Sequence, residues 1–525
     1  MKRMFRLAVM AIVSTLVVAC AGSSHKANSE PVWDEASIVS YVNLGQLHTK
    51  SNIAGLDLTA LLDQIVESDT QKQIVKSILS NPNSSGIAAD KPAYVVIRDF
   101  DKQFEPSDVY FACEVCDADK FDQTLKSIAG SDFNQAKFTL EGDRRIFTEE
   151  NSEFAFGYDS KRLIILFNSN EQADLKTLLN TQLNYAPADM SRFESNDMST
   201  YLDIDKLYNK AVALLNTDDT DAEVLELIKS YYNGYFEDEA SIVFSLTFNR
   251  GSIVVDTDCE GISDEMMSLY KKCNGQLLNL LNTSPIAVFN IGLDGEAIAT
   301  TIDTAINTII ATNPDIEINN ETNMYKNIAL GAVGSFKGDF LIALSEANGK
   351  IERMNPVFTS ANALFAAEVK DDYIWQNIKT FAGGFLTPDG SNSYSIEANG
   401  NKFSIGQRDN IFYAGVNNNC DAKSNSAAND KWAKEIEDCY TFIMIDFNKF
   451  VNSSFGNAVV TALYNEVNRS ERETAKRVVN ALDVLTIVTT GEDNNVSSKC
   501  TLTLKDDSVN SLEQITKLIF DITIN

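Results

Sequence analysis

Two periodicities alternate along this chain. Apolar residues recur at three- and four-residue spacing over Leu58 to Leu79, Ala222 to Tyr232, Glu265 to Leu281, Ile298 to Ile310, Ser470 to Leu482 and Asn510 to Phe520, which places them on one face of a helix. Between these stretches apolar and polar residues alternate over short runs, the pattern of a strand with one buried face. Two such runs, Ile242 to Asp256 and Val484 to Leu504, turn back through polar residues and read as hairpins. Hairpins impose antiparallel pairing. The pattern therefore predicts an α+β fold in which helices pack on mainly antiparallel sheets. Joints rich in Asn, Ser and Gly fall at Asn81 to Gly86, Asn313 to Asn323, Gly390 to Ser393 and Asn417 to Asn429, the last being the longest and most polar.

The pattern also repeats. Phe111-Ala-Cys-Glu-Val115-Cys-Asp117 recurs as Phe365-Ala-Ala-Glu-Val369-Lys-Asp371, and an aromatic follows each copy (Phe121, Trp375). Val42-Asn43-Leu44-Gly45 matches Phe289-Asn290-Ile291-Gly292, Phe154-Ala-Phe156-Gly157 matches Phe403-Ser-Ile405-Gly406, and Leu202-Asp203-Ile204 matches Ile445-Asp446-Phe447. The matches keep their order at offsets of 247, 254, 249 and 243 residues. They predict a tandem duplication, with α+β halves at 33–280 and 281–525, either of which could comprise two smaller units of about 120 residues. At Asn43, Asn290, Asp203 and Asp446 an apolar strand ends on a short polar side chain suited to capping the helix that follows. Gln46 after Asn43 and Glu513 after Asn510 have the spacing of capping boxes.

The first twenty residues follow neither periodicity. Cations at Lys2, Arg3 and Arg6 precede an apolar run from Leu7 to Val18, which is an export signal rather than a fold element. The run falls short of the roughly 20 residues that cross a bilayer. Val17-Val18-Ala19-Cys20 looks like a lipobox, so residues 1–19 are expected to be removed and Cys20 to carry lipid, with 20–32 as a flexible tether. Several acyl chains on one residue anchor durably, at about 0.8 kcal/mol per buried CH2.

Composition narrows the function. The chain is 44% hydrophobic and 22% charged, as a folded protein is, and its net charge is −30. That surface repels phosphate backbones, and no Lys/Arg stripe with interleaved aromatics is present, so nucleic acid is excluded as a partner. Histidine is confined to His25 and His48, which leaves nucleophile–histidine catalysis only His48, on the first turn of a predicted helix where packing is the plainer role. HExxH, G-x-S-x-G, P-loop and G-x-G-x-x-G motifs are missing, so no cofactor, metal or catalytic residue is assigned. Asp218, Asp219 and Asp221 lack the glycine and terminal glutamate of a calcium loop.

Eight cysteines less Cys20 leave an odd seven. Cys420 with Cys439 and Cys259 with Cys273 are candidate disulfides by position. Cys113 and Cys116 form a CxxC on a strand, where residues three apart face opposite sides.

The lipobox, the opening strand Ser37-Ile-Val-Ser-Tyr-Val42 into Asn43-Leu44, the Gly334-Ser-Phe-Lys-Gly338-Asp339 turn and the closing Asn510-Ser-Leu-Glu-Gln-Ile515 helix together resemble an uncharacterised family of Bacteroidetes lipoproteins, a domain of unknown function with a duplicated body. The resemblance covers nearly the whole mature chain and transfers no activity or site residue. It implies a Gram-negative outer membrane. Ala21 to Lys26 contains no acidic residue, which favours the periplasmic face. The expected function is that of a cell-envelope lipoprotein, tethered to the membrane by its lipid, that binds or scaffolds an envelope protein or glycan without catalysis. The alternative is a carboxylate-dependent glycan hydrolase or an accessory glycan-binding protein, because paired carboxylates hydrolyse glycosides without histidine.

Overall fold

A computed structural model describes residues 36–524, apart from 66–67, 102–104, 130–137, 148–153, 168–194 (save 175, 179 and 193), 216–228, 231, 313–318, 354, 383, 390–391, 419–430 and 467–468. The fold is α+β. The chain divides into two compact units, the first holding 1–232, 238–261 and 506–525, the second 233–237 and 262–505. The division is thus not a single cut near residue 280. The C-terminal helix Ser511–Ile524 belongs to the first unit, where Asn510 Nδ2 donates to Phe248 O at 3.0 Å and Ser511 Oγ to Ser252 O at 2.8 Å.

In the first unit the strands are β1 (Ile38–Val42), β2 (Ala93–Phe100), β3 (Pro106–Glu114), β4 (Phe138–Glu141), β5 (Arg144–Phe147), β6 (Phe154–Tyr158), β7 (Arg162–Phe167), β8 (Met198–Asp203), β9 (Phe236–Asn249) and β10 (Ser252–Ile262). Their order across the sheet is β4-β5-β6-β7-β3-β2-β1-β8-β9-β10, and the neighbours from β4 to β9 run antiparallel. Alternation along β3 sends Phe111 and Cys113 into one core cluster and Tyr110 and Ala112 into another, on the opposite face. Helix α1 (Leu44–Ser51) supplies Leu44 and Leu47 to the first cluster, and α2 (Ala118–Ala129) supplies Phe121 and Leu125, four residues apart on its buried stripe.

The second unit contains β11 (Ala287–Asp294), β12 (Phe336–Glu352), β13 (Asn355–Val369), β14 (Thr387–Pro388), β15 (Ser393–Ala398), β16 (Asn401–Arg408), β17 (Ile411–Val416), β18 (Thr441–Asp446), β19 (Leu482–Glu492) and β20 (Asn495–Leu504). All neighbours are antiparallel, in the order β14-β15-β16-β17-β13-β12-β11-β18-β19-β20. This is the order of the first unit with every label advanced by ten. Among the described residues, one run of ten paired strands passes through each unit. One face of the second sheet buries Leu341, Ala366, Tyr413 and Phe442 against Leu277, Leu281 and Ile436. Helices α3 (Gly295–Thr312), α4 (Asn320–Gly334), α5 (Tyr373–Ala382), α6 (Ser454–Glu466) and α7 (Arg469–Ala481) complete this unit's main elements.

Several helices fall where periodicity placed them, and the exceptions have identifiable causes. Leu58 to Leu79 is two helices, Thr59–Ile65 and Asp69–Ser80. Glu265 to Leu281 is not one helix: after Asp264–Ser268 the chain extends, and a 3-10 turn covers Gln276–Leu280. Gly275 at φ +68° starts that turn, and the preceding backbone is committed elsewhere, with Cys273 N–H donating to Cys439 O at 2.7 Å. Most of Ala222 to Tyr232 lies outside the described residues. Asn43, Asp203 and Asp446 accept from the N–H groups of Gln46, Lys206 and Lys449 at 2.7 to 3.1 Å and cap helices as expected. Asn290 does not. It lies in the middle of β11, and Asp294 caps α3 instead, accepting from Ala297 N–H at 3.1 Å. Asn510 caps the last helix, while Glu513 bonds Lys517 and Asn52 at 2.6 and 3.0 Å, cationic and amide donors one turn on and across the first unit.

Gly292 shows why that strand carries a glycine. A Cβ there would sit 1.9 Å from Lys271 O, and Lys271 N–H donates to Gly292 O at 3.1 Å. Gly292→Ala forces the 271–275 segment off the sheet. A loss of about 2–3 kcal/mol in the unfolding free energy of the second unit is expected, read from the urea midpoint.

Candidate functional site

The chemically richest cluster lies where the 271–275 segment meets β12 and β13. Asp339 is fully buried. Its carboxylate accepts from Asn274 N–H at 3.0 Å, from Gly275 N–H at 2.9 Å and from Asn290 Nδ2 at 3.4 Å. Glu368, opposite on β13, accepts from Asn274 Nδ2 at 2.9 and 3.1 Å and from Asp339 N–H at 3.0 Å. Gly338 at φ +114° makes this possible, since a Cβ would fall 2.0 Å from Glu368 Oε2. Burial pushes the Asp339 carboxyl above its ordinary range against the backbone donors that lower it, and the charge on Glu368 adds to the rise. Two adjacent carboxylates of this kind would suit acid–base chemistry if substrate could touch them. Asp339 is sealed from solvent and its oxygens are occupied by main-chain donors, so the pair staples a loop to the sheet.

Buried carboxylates in the first unit are similarly engaged. Asp122 receives Arg145 Nε at 3.0 Å, Tyr158 OH at 2.7 Å and Lys126 Nζ at 2.5 Å. Burial raises the Asp122 carboxyl, but the hydrogen bonds from Lys126 and Tyr158 and the charge of Arg145 outweigh it and hold the group below its ordinary range. Asp197 takes Lys50 Nζ at 2.7 Å and Phe248 N–H at 2.6 Å. His48 Nε2 meets Leu79 O at 2.8 Å, a helix-packing bond. Among the described residues no group of His, Cys, Asp or Glu is placed to hold a metal.

Of the residues singled out in the sequence, Cys20 and Cys420 lie outside the described residues, as do Asp218, Asp219 and Asp221. Cys259 is half-buried in β10 of the first unit. Cys113 is buried in β3 while Cys116 is exposed and bonds Gly86 O at 3.3 Å, so the CxxC points two ways. Cys273 and Cys439 are both buried in one core cluster of the second unit, a juxtaposition that spacing did not suggest.

Some apolar residues also remain accessible. In the second unit, the register carries one row across seven strands: Phe403, Val416, Ala363, Leu344, Ala287, Ile445 and Leu485. Every member is half-buried except Phe403, which is exposed. Ile342, on the same face two residues before Leu344, is 48% exposed. The first unit has the corresponding row, Phe167, Val109, Ile97, Ile38, Leu202 and Ile242, again half-buried throughout. The helices of the second unit do not seal their apolar stripes either: Ile309 on α3 and Tyr325 on α4 are exposed. A contiguous row of apolar residues left partly exposed is a candidate interaction site. Alternation along the sequence could place these residues on strands, but not show that they remain partly exposed.

A family model described as a domain of unknown function, DUF4836, matches residues 31–512. The chain belongs to the DUF4836 family. That match embraces both units. No curated protein and no solved structure matches the chain. In this DUF4836 chain no described helix is long and apolar enough to cross a membrane.

Proposed function

We propose that this DUF4836 chain is a non-catalytic lipoprotein of the Bacteroidetes cell envelope, anchored through Cys20 at the periplasmic face of the outer membrane, whose duplicated body binds a partner protein. The observation that carries the binding reading is the half-buried apolar row, which recurs at the same strands of both sheets. The shared strand order and the four sequence matches support duplication as its origin. Strands spaced about 4.8 Å apart make the seven-strand row roughly 29 Å long. A helix of about 18 residues has that length. The row is mostly aliphatic and the chain carries a net charge of −30, so the fitting partner is an amphipathic helix with an apolar stripe and cationic flanks.

The test uses an 18-residue cationic amphipathic helical peptide and fluorescence anisotropy on the full chain. Leu344→Asp and Ile445→Asp are each expected to weaken binding about tenfold or more, since each opposes the peptide's stripe with a desolvated carboxylate. Equal binding of a peptide with the same charges but a scrambled stripe would refute the apolar reading. For the anchor, Cys20→Ser should move the protein from the membrane fraction to the soluble one, and undiminished membrane partitioning would remove the lipid assignment.

A further inference from the structure

We infer that Cys273 and Cys439 form a disulfide that ties the 271–275 segment to the lead-in of β18. The two residues approach through paired backbones, with Cys273 N–H donating to Cys439 O at 2.7 Å and Asp438 N–H returning to Cys273 O at 3.0 Å. Asp438 turns at φ +65° rather than running extended, but the direct Cys273 N–H to Cys439 O bond of 2.7 Å by itself limits their Cα separation to about 6.5 Å, within the roughly 4.4–6.8 Å that a disulfide spans. Both side chains are buried, in the same cluster as Leu277, Ile436 and Phe442. Both are free thiols in this structure, Cys273 Sγ directed to Tyr440 O at 3.6 Å and Cys439 Sγ to Ile436 O at 3.1 Å. The hydrogen bond with Cys439, and then burial, push the Cys273 thiol well above its ordinary range.

A thiol pair buried in a core cluster exchanges slowly with outside disulfides, so the bond forms during folding while both sulfurs are reachable. A low-molecular-weight or protein disulfide acts as oxidant. Thiolate attack forms a mixed disulfide, the second thiolate displaces the donor's sulfur, and the two S–H bonds are replaced by one S–S bond. Two protons leave and two electrons reduce the donor disulfide to two thiols. The pairing rests on the geometry alone. Only the supply of oxidant in the cell rests on the envelope location proposed above.

Trypsin separates the relevant cysteines into the peptides 251–271, 273–326, 409–423 and 435–449. The full chain, reduced and unfolded, is refolded in a glutathione redox buffer, alkylated and digested for mass spectrometry. Peptides 273–326 and 435–449 are expected as one linked species, lost completely in Cys439→Ser, which still folds because serine nearly preserves the side-chain volume. Linkage of 409–423 to 435–449, or alkylation of both Cys273 and Cys439 in the refolded chain, would overturn the pairing. Protein taken directly from cells is expected to show the same link. A link that forms on refolding but is missing in cells supports the pairing and counts against the envelope location.

Discussion

Asp339→Ala is expected to lower the unfolding free energy of the second unit by about 3–4 kcal/mol, among the larger losses available to a single side chain. The carboxylate is the acceptor for two main-chain N–H groups and the Asn290 amide. Each buried donor left without a partner costs about 1–3 kcal/mol, discounted because Asn274 lies toward the surface. Asp339→Asn keeps one acceptor oxygen but turns an NH2 toward the main-chain donors, so roughly half that loss is expected. The pair of variants also isolates a pH effect. Because the folded carboxyl titrates above the unfolded one, its contribution is fully present below the unfolded value, near 3.9, and is lost as pH rises through the folded value. Wild type should therefore gain on Asp339→Asn as pH is lowered from 7 toward 4. Asp122 runs the opposite way: its folded carboxyl is depressed, and its contribution, present above the unfolded value, is lost as pH falls through the folded one. Urea unfolding followed by tryptophan fluorescence at several pH values checks both variants, since Trp375 and Trp432 belong to the second unit. A constant difference between wild type and Asp339→Asn from pH 7 to 4 would contradict the account of the buried carboxyl.

The parts of this fold that could be read from the sequence are those specified locally. Phe111 to Asp117 and Phe365 to Asp371 announce a strand entering a helix because alternation, an acidic cap and a buried aromatic lie within one short window. The capping roles of Asn43, Asp203 and Asp446 are equally local. Asn290 fits the same pattern and fails because its partner, Asp339, is 49 residues away, and an amide buried beside a carboxylate gains more there than at a helix end. The same long-range commitment broke the helix expected over Glu265 to Leu281, whose apolar spacing is real but whose backbone is bonded to Cys439 and Asp339. The candidate binding face was hidden for a related reason. Leu344 and Ile445 read as ordinary strand residues, and only the cross-strand register aligns them with Ala287 into a continuous row. Cysteine spacing likewise gave no sign that Cys273 shares a core cluster with Cys439, a residue 166 positions on.

The most demanding comparison between the two halves is at Trp375, where Trp375→Ala should cost about 3–5 kcal/mol and Trp375→Phe less than about 1.5 kcal/mol. The indole is 2% exposed and packs with Val369 and Phe412, and Tyr394 lies 5.5 Å from it, centroid to centroid. Truncation to alanine removes the main contact between α5 and the sheet and leaves a cavity too deep for the strands to close. Phenylalanine retains most of the contact. It also removes the buried Nε1–H, which has no hydrogen-bond acceptor and so forfeits a bond it makes in water. Phe121 holds this place in the first unit, on the helix that follows β3, and is just as buried without any polar atom to satisfy. If the two sites are versions of one packing solution, the second unit should accept the first unit's residue. Urea midpoints that fall as far for Trp375→Phe as for Trp375→Ala would show that the indole's shape, and not an aromatic at that position, holds α5 in place.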